Sequence, residues 1–163
     1  MTASRARLLC LVAALTAFGG CKTAQVNPLI GPPPRPEAKA FVIPPDANFV
    51  LSAAEAVATA EEDQSAFVKI FIDGKEAGQT AIAPKSKEKK WGQVLPAGNH
   101  LFRFEEWVLP LPGEWTPLRE GWQPPERFIR IESGLETYVA LKFYDGGRQH
   151  TLEIVRQPLS AKP

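Results

Sequence analysis

Cys10 and Cys21 are the two cysteines of this 163-residue chain, and their surroundings differ. Cys10 lies inside the apolar run from Leu8 to Phe18, whereas Cys21 closes the stretch LTAFGGC and is followed by Lys22. The two histidines, His100 and His150, stand in no HExxH-like spacing, and the carboxylates near them form no ligand pattern, so no metal set is expected. Ser86, Ser133 and Ser160 offer hydroxyls, but none sits in the strained turn that exposes a nucleophilic serine. The chain is therefore read as non-catalytic and free of cofactors. His100 is expected to pack, or to bond a backbone carbonyl, at a turn.

The segment that positions Cys21 has three parts: Arg5 and Arg7, the apolar run, then Gly19 and Gly20. This is the order of an export signal. Its apolar part falls short of the ~20 residues a transmembrane helix needs, so residues 1–20 are set aside as a signal rather than a span. The ending Phe18-Gly19-Gly20-Cys21 resembles the lipobox of bacterial lipoproteins, with Phe18 where the family usually has Leu. The resemblance implies cleavage between Gly20 and Cys21, a diacylglycerol on the Cys21 thiol and a further acyl chain, such as palmitate, on the freed amine. Each buried CH₂ of such chains contributes ~0.8 kcal/mol, and two chains already give stable anchoring. Loss of residues 1–20 would discard Cys10, so Cys21 would have no internal disulfide partner, and acylation would cap a thiol otherwise exposed in an oxidising compartment. A secreted protein with an incidental cysteine is the competing reading. In the lipoprotein family Asp after the cysteine commonly retains a protein in the inner membrane; Lys22 stands here, which implies the outer membrane, on its periplasmic or surface face.

The formal net charge of the whole chain is +1, and removing Arg5 and Arg7 brings it to −1. Neither value supplies the concentrated excess of Lys and Arg that phosphate backbones demand, so nucleic acid is not expected as a partner. The expected partners are the membrane, through the lipid, and envelope proteins or glycans. Residues 21–46 contain seven prolines between Pro28 and Pro45 and read as a disordered tether. Extended at ~3.1 Å per residue, such a stretch would hold a domain clear of lipid headgroups. Recognition of PPPRP by a polyproline-binding partner is the alternative use.

Residues 47–65 read as a lead-in carrying a short helix, because Ser52 and Glu55 have capping-box spacing and an Ala-rich run follows to about Glu62. From Ala66 the period becomes two. In FVKIFI (67–72), Val68, Ile70 and Ile72 are assigned to the core, with Phe67, Lys69 and Phe71 on the other face. Further strands are expected over 100–107, 127–132, 137–144 and 150–155, the last two joined through Asp145-Gly146-Gly147-Arg148. Many short strands with one helix at most imply an all-β fold, an antiparallel β-sandwich over 66–158 with a short tail over 159–163.

The strand ending in Asp73-Gly74-Lys75, the downstream Gly78 and Thr80, and the turn Pro96-x-Gly98-x-His100 together resemble a PEGA-type domain, over about residues 66–156. The resemblance implies a small β-sandwich on an envelope or surface protein. The tetrapeptide naming that family is absent, and a long insertion follows the His100 strand. This insertion, 105–126, carries Trp107, Trp115 and Trp122 among five prolines. It admits two readings: a cap folded back over the sandwich, or a rigid aromatic surface for sugars or a protein partner, with Arg119 and Glu120 adding polar contacts. Lys85, Lys87, Lys89 and Lys90 gather in a second segment, read as either a solvated loop or a contact for anionic lipid or polysaccharide.

Overall fold

The computed structural model describes residues 42–110 and 113–159. Contacts divide the chain into Met1–Pro36 and Glu37–Pro163, and every described residue belongs to the second unit. The signal segment, Gly20, Cys21, most of the proline-rich tether and the last four residues lie outside the described residues.

The described chain is all-β. Ten strands run in the order β1 (Phe49–Glu55), β2 (Ser65–Ile72), β3 (Lys75–Gln79), β4 (Ala83–Pro84), β5 (Lys89–Gln93), β6 (Gly98–Leu109), β7 (Thr116–Pro117), β8 (Arg127–Ile131), β9 (Leu135–Tyr144) and β10 (Gln149–Pro158). Two single turns of 3₁₀ helix, Ala60–Glu62 and Glu120–Trp122, complete the inventory of described elements. One sheet has the order β10-β9-β1-β5; the other runs β3-β2-β6, with β7 and β8 pairing separate parts of β6 and β4 pairing β2.

Alternation explains how the two sheets share a core. On β6, Phe102, Phe104, Glu106 and Val108 are buried while the residues between them are half-buried, and on β9 Thr137, Val139, Leu141 and Phe143 are buried in the same rhythm. The core joins Phe49, Leu51, Trp91, Val139, Leu141 and Phe143 of the first sheet to Val68, Ile70, Phe102, Phe104, Ile129 and Ile131 of the second. Phe49 stacks on Phe102 at 4.5 Å between ring centroids, so the sheets meet directly through these rings. Trp91 is fully buried, edge-on to Phe49, and a β-carbon on Gly78 would fall 2.7 Å from its Nε1; the bare backbone there permits the indole's approach.

The core face expected on β2 is the observed one: Val68 and Ile70 are fully buried and Ile72 packs against the core. Strands β6, β8, β9 and β10 lie where period two placed them. The β2–β3 turn uses Asp73 and Gly74 at φ 51° and 78°, the left-handed pair that a two-residue hairpin requires.

Two expectations are corrected. Residues 52–55 do not begin a helix; they complete β1, which lies between β9 and β5 and pairs with both. Ser52 donates its hydroxyl to Glu88 and Glu55 turns to Lys85, so the capping box does not form. Ala-rich helix propensity is a weak local preference, and pairing along both edges plus burial of Phe49, Leu51 and Ala53 outweighs it. Nor is the first sheet wholly antiparallel: β1 runs parallel to β9, Phe49 opposite Thr137 through Glu55 opposite Phe143. The proline-rich segment ends in a turn, Ala47 N–H donating to the Pro44 carbonyl at 3.1 Å, and the Asn48 amide exchanges two hydrogen bonds with the Leu95 backbone.

Candidate functional site

The outer face of the second sheet gathers two of the three tryptophans that the sequence singled out, Trp107 and Trp115. Phe67 and Trp107 are cross-strand neighbours on β2 and β6, stacked at 6.2 Å with planes 13° apart. Trp115 meets Phe67 edge-on at 4.9 Å. Lys69 places its ammonium 4.6 Å from the centre of the Trp107 ring, and the indole N–H donates to Glu105 Oε2 at 3.3 Å. Farther along the same face, the Arg103 guanidinium covers Phe71 at 3.8 Å and is held by Glu105 and Glu126. Trp107 and Trp115 both remain half-buried, so this face presents aromatic edges interleaved with charge.

The insertion is fixed by its own hydrogen bonds. Gln123 accepts the Glu106 N–H at 2.9 Å and donates to the carbonyls of Glu106 and Leu118 at 3.1 and 3.2 Å. The Leu118 N–H donates to the Glu106 carbonyl at 2.9 Å, Thr116 and Pro117 pair with Val108 and Trp107, and Leu118 packs against the core. The segment therefore doubles back on β6. Trp122 does not join the Phe67 cluster in ring contact; Arg119 lies 5.0 Å and Arg148 5.5 Å from its ring centre. The three tryptophans thus form two separate features, and Trp91 belongs to the core.

The four lysines are not one surface patch. Lys87 and Lys90 are exposed, Lys90 pairing with Glu88 at 3.2 Å, but Lys85 and Lys89 are buried. Lys89 opens strand β5, and its ammonium donates to the carbonyls of Pro84, Lys85 and Lys87, each at 3.2 Å. Lys85 pairs with Glu55 at 3.2 Å. Across the core Glu106 is 1% exposed, and its Oε2 has no hydrogen-bond partner among the described residues. Burial, then the Glu55 carboxylate, pushes the Glu106 carboxyl up to about 7 against the opposing pull of Lys89 and Lys85. Burial also lowers Lys89, opposed by Glu106 and Glu55. This cluster joins the two sheets with titratable groups. The sequence held a signal for it, because Glu55 and Glu106 fall on the apolar phase of β1 and β6; the phase was concealed by the helix assigned to one and the insertion assigned to the other.

His100 behaves as a turn clamp. Its Nε2 donates to the Pro96 carbonyl at 3.0 Å and its Nδ1 meets Asp73 Oδ2 at 2.8 Å, while Asp73 Oδ1 accepts the Leu101 N–H at 2.9 Å. The Asp73 hydrogen bond, then the Pro96 carbonyl, raises the imidazole above its ordinary value, and His100 with Leu101 lowers Asp73. Both ring nitrogens are engaged, so the pair fixes a turn and offers no free base. Thr80 ties β2 from the other side, accepting the Val68 N–H on its hydroxyl at 3.0 Å. Among the described residues, no group of three His, Cys, Asp or Glu side chains is arranged to hold a metal ion.

No protein-family model, curated protein or solved structure matches this chain.

Proposed function

We propose that the chain is a lipid-anchored protein of the bacterial cell envelope, in which a PEGA-like β-sandwich on a proline-rich tether acts as a non-catalytic structural or protein-interaction module. The observation that carries the reading is the order of its parts: a short apolar signal ending at Gly20-Cys21, a tether, then a domain of two sheets sharing one core. The residues of the PEGA-like motif have architectural tasks consistent with it. Asp73 and Gly74 make a hairpin, Gly78 admits Trp91, Thr80 holds Val68, and His100 closes the turn from Pro96.

Binding of envelope glycans is the second reading, and one observation favours it: Trp107 and Trp115 stay half-exposed beside Lys69 and Glu105, polar neighbours of the kind a sugar needs around a stacking ring. Intact-mass measurement of the protein from membranes, with cross-linking in cells, tests the first reading. It expects acyl mass on an N-terminal Cys21 and an envelope protein cross-linked to the domain; an unacylated N-terminus would refute the anchor. Tryptophan quenching by envelope glycans, lost in Trp115→Ala, is the outcome expected by the second reading, and unchanged affinity would remove it.

A further inference from the structure

The longest outer strand of either sheet borders a cleft of defined chemistry. β10 pairs with β9 in unbroken register over all ten of its residues, and among the described residues no strand pairs its other side. The other outer strands are shorter: β3, β5 and β8 have five residues each. β10 contains no bulge, and its one proline, Pro158, is its last residue, so neither a bulge nor an internal proline keeps this edge from pairing; its charged residues are Glu153 and Arg156, the latter turned to the Arg130 carbonyl and Glu132. Beside it lies a cleft of about 210 Å³ lined by Pro124, Pro125, Arg127, His150 and Leu152. Among the described residues three of its walls are apolar, two are basic and none is acidic.

We propose that this edge takes an extended segment of a partner protein as an added strand, apolar where it faces Leu152 and acidic two residues away, where it faces Arg127 and His150. The proposal rests on reading the domain as an interaction module and names the surface and the partner chemistry. Side chains of an added strand alternate between faces, so those on the side of the half-buried His150, Leu152 and Ile154 enter or adjoin the cleft at every second residue. Main-chain hydrogen bonds to β10 supply affinity, and the cleft selects the side chains. The chain's own tether is a poor occupant: residues 22–41 carry Lys22, Arg35 and Lys39 against Glu37 alone, a basic balance facing basic walls.

The test uses the full chain and two synthetic probes, SVTLTETVS and its counterpart SVTLTKTVS. The glutamate peptide is expected to bind at least about tenfold more tightly than the lysine peptide by fluorescence anisotropy, because rim charges set such preferences. It should slow amide hydrogen exchange within residues 149–158. Arg127→Glu, at an exposed position, should invert the preference, and N-methylation of one of the two alternate sets of peptide residues should abolish binding. Equal binding of both probes, protection elsewhere than β10, or protection of β10 that grows with protein concentration in the absence of peptide would each overturn the proposal, the last by identifying a second copy as the occupant. The titration is independent of the acyl mass on Cys21 and of cross-linking in cells, so this inference and the function it rests on fail separately.

Discussion

Raising the pH from 5 to 8 should destabilise this domain, and the side chain responsible is Glu106. Its carboxyl titrates near 7 in the folded protein against an ordinary 4.5. Between those values the native state binds a proton that the unfolded chain has released, so the slope of unfolding free energy with pH is negative. The contribution is fully present below about 4.5 and is lost as pH rises through about 7, a total of about 3 kcal/mol for a shift of this size. The physical source is the cost of an ionised carboxylate in the core, next to Glu55 and with one oxygen that finds no hydrogen-bond partner among the described residues. Glu106→Gln keeps the shape and removes the charge. Urea unfolding of both proteins at intervals between pH 5 and 8 is the assay. Since the raised imidazole of His100 bends the profile in the same direction, the difference between wild type and variant is the quantity to read. That difference should move by about 2–3 kcal/mol in favour of the variant across the interval, the larger part of the total and a sizeable fraction of a small domain's stability. Parallel profiles for the two proteins would refute the reasoning.

The remaining predictions concern neighbouring contacts. Lys85→Met strands the buried Glu55 carboxylate and should cost about 3–5 kcal/mol in urea unfolding, whereas Lys90→Met, on an exposed pair, should stay within about 0.5 kcal/mol. Asp73→Asn removes the main support of the His100 imidazolium; the imidazole pKa, followed by NMR, should fall toward its ordinary value. Gly78→Ala drives a methyl group against the Trp91 indole and should cost about 1–3 kcal/mol, with a shift in the emission of the buried tryptophan.

What the sequence made legible depends on how far each interaction reaches. Alternation in β2, β6 and β9 and the left-handed turns at Asp73-Gly74 and Asp145-Gly146 are local, and they appear in the structure where the pattern placed them. The bond of His100 to a backbone carbonyl was also readable, because Pro96 lies four residues away in the turn that leads into β6; its Asp73 partner, in the turn after β2, is distant in sequence and was not. β1 was not readable: Ser52, Ala53 and Ala54 favour helix locally, and only pairing with β9 and β5 makes them strand. The lysines misled for the same reason. A run of Lys near 85–90 looks solvated until Glu55 and Glu106, distant in sequence, arrive to face Lys85 and Lys89. In the insertion, aromatic content was visible, but the division of its tryptophans between Phe67 and the arginines follows from Gln123 and Leu118 folding the segment back on β6.

The parallel pairing of β1 with β9 also sets an order of events. A chain emerging amino-end first, from the ribosome or a secretion channel, delivers residues 49–55 early and their partners at 137–143 almost last. The centre of the first sheet therefore closes only when nearly the whole domain is out, and loop-closure entropy over that distance places its formation late in folding. In the interval only local forces act on the Ala-rich stretch, and these favour helix. Local preference and final pairing therefore pull residues 52–55 toward different backbone geometries, and substitutions that strengthen helix at the exposed positions just after them, such as Thr59, should slow completion of the domain while leaving the buried contacts of β1 intact.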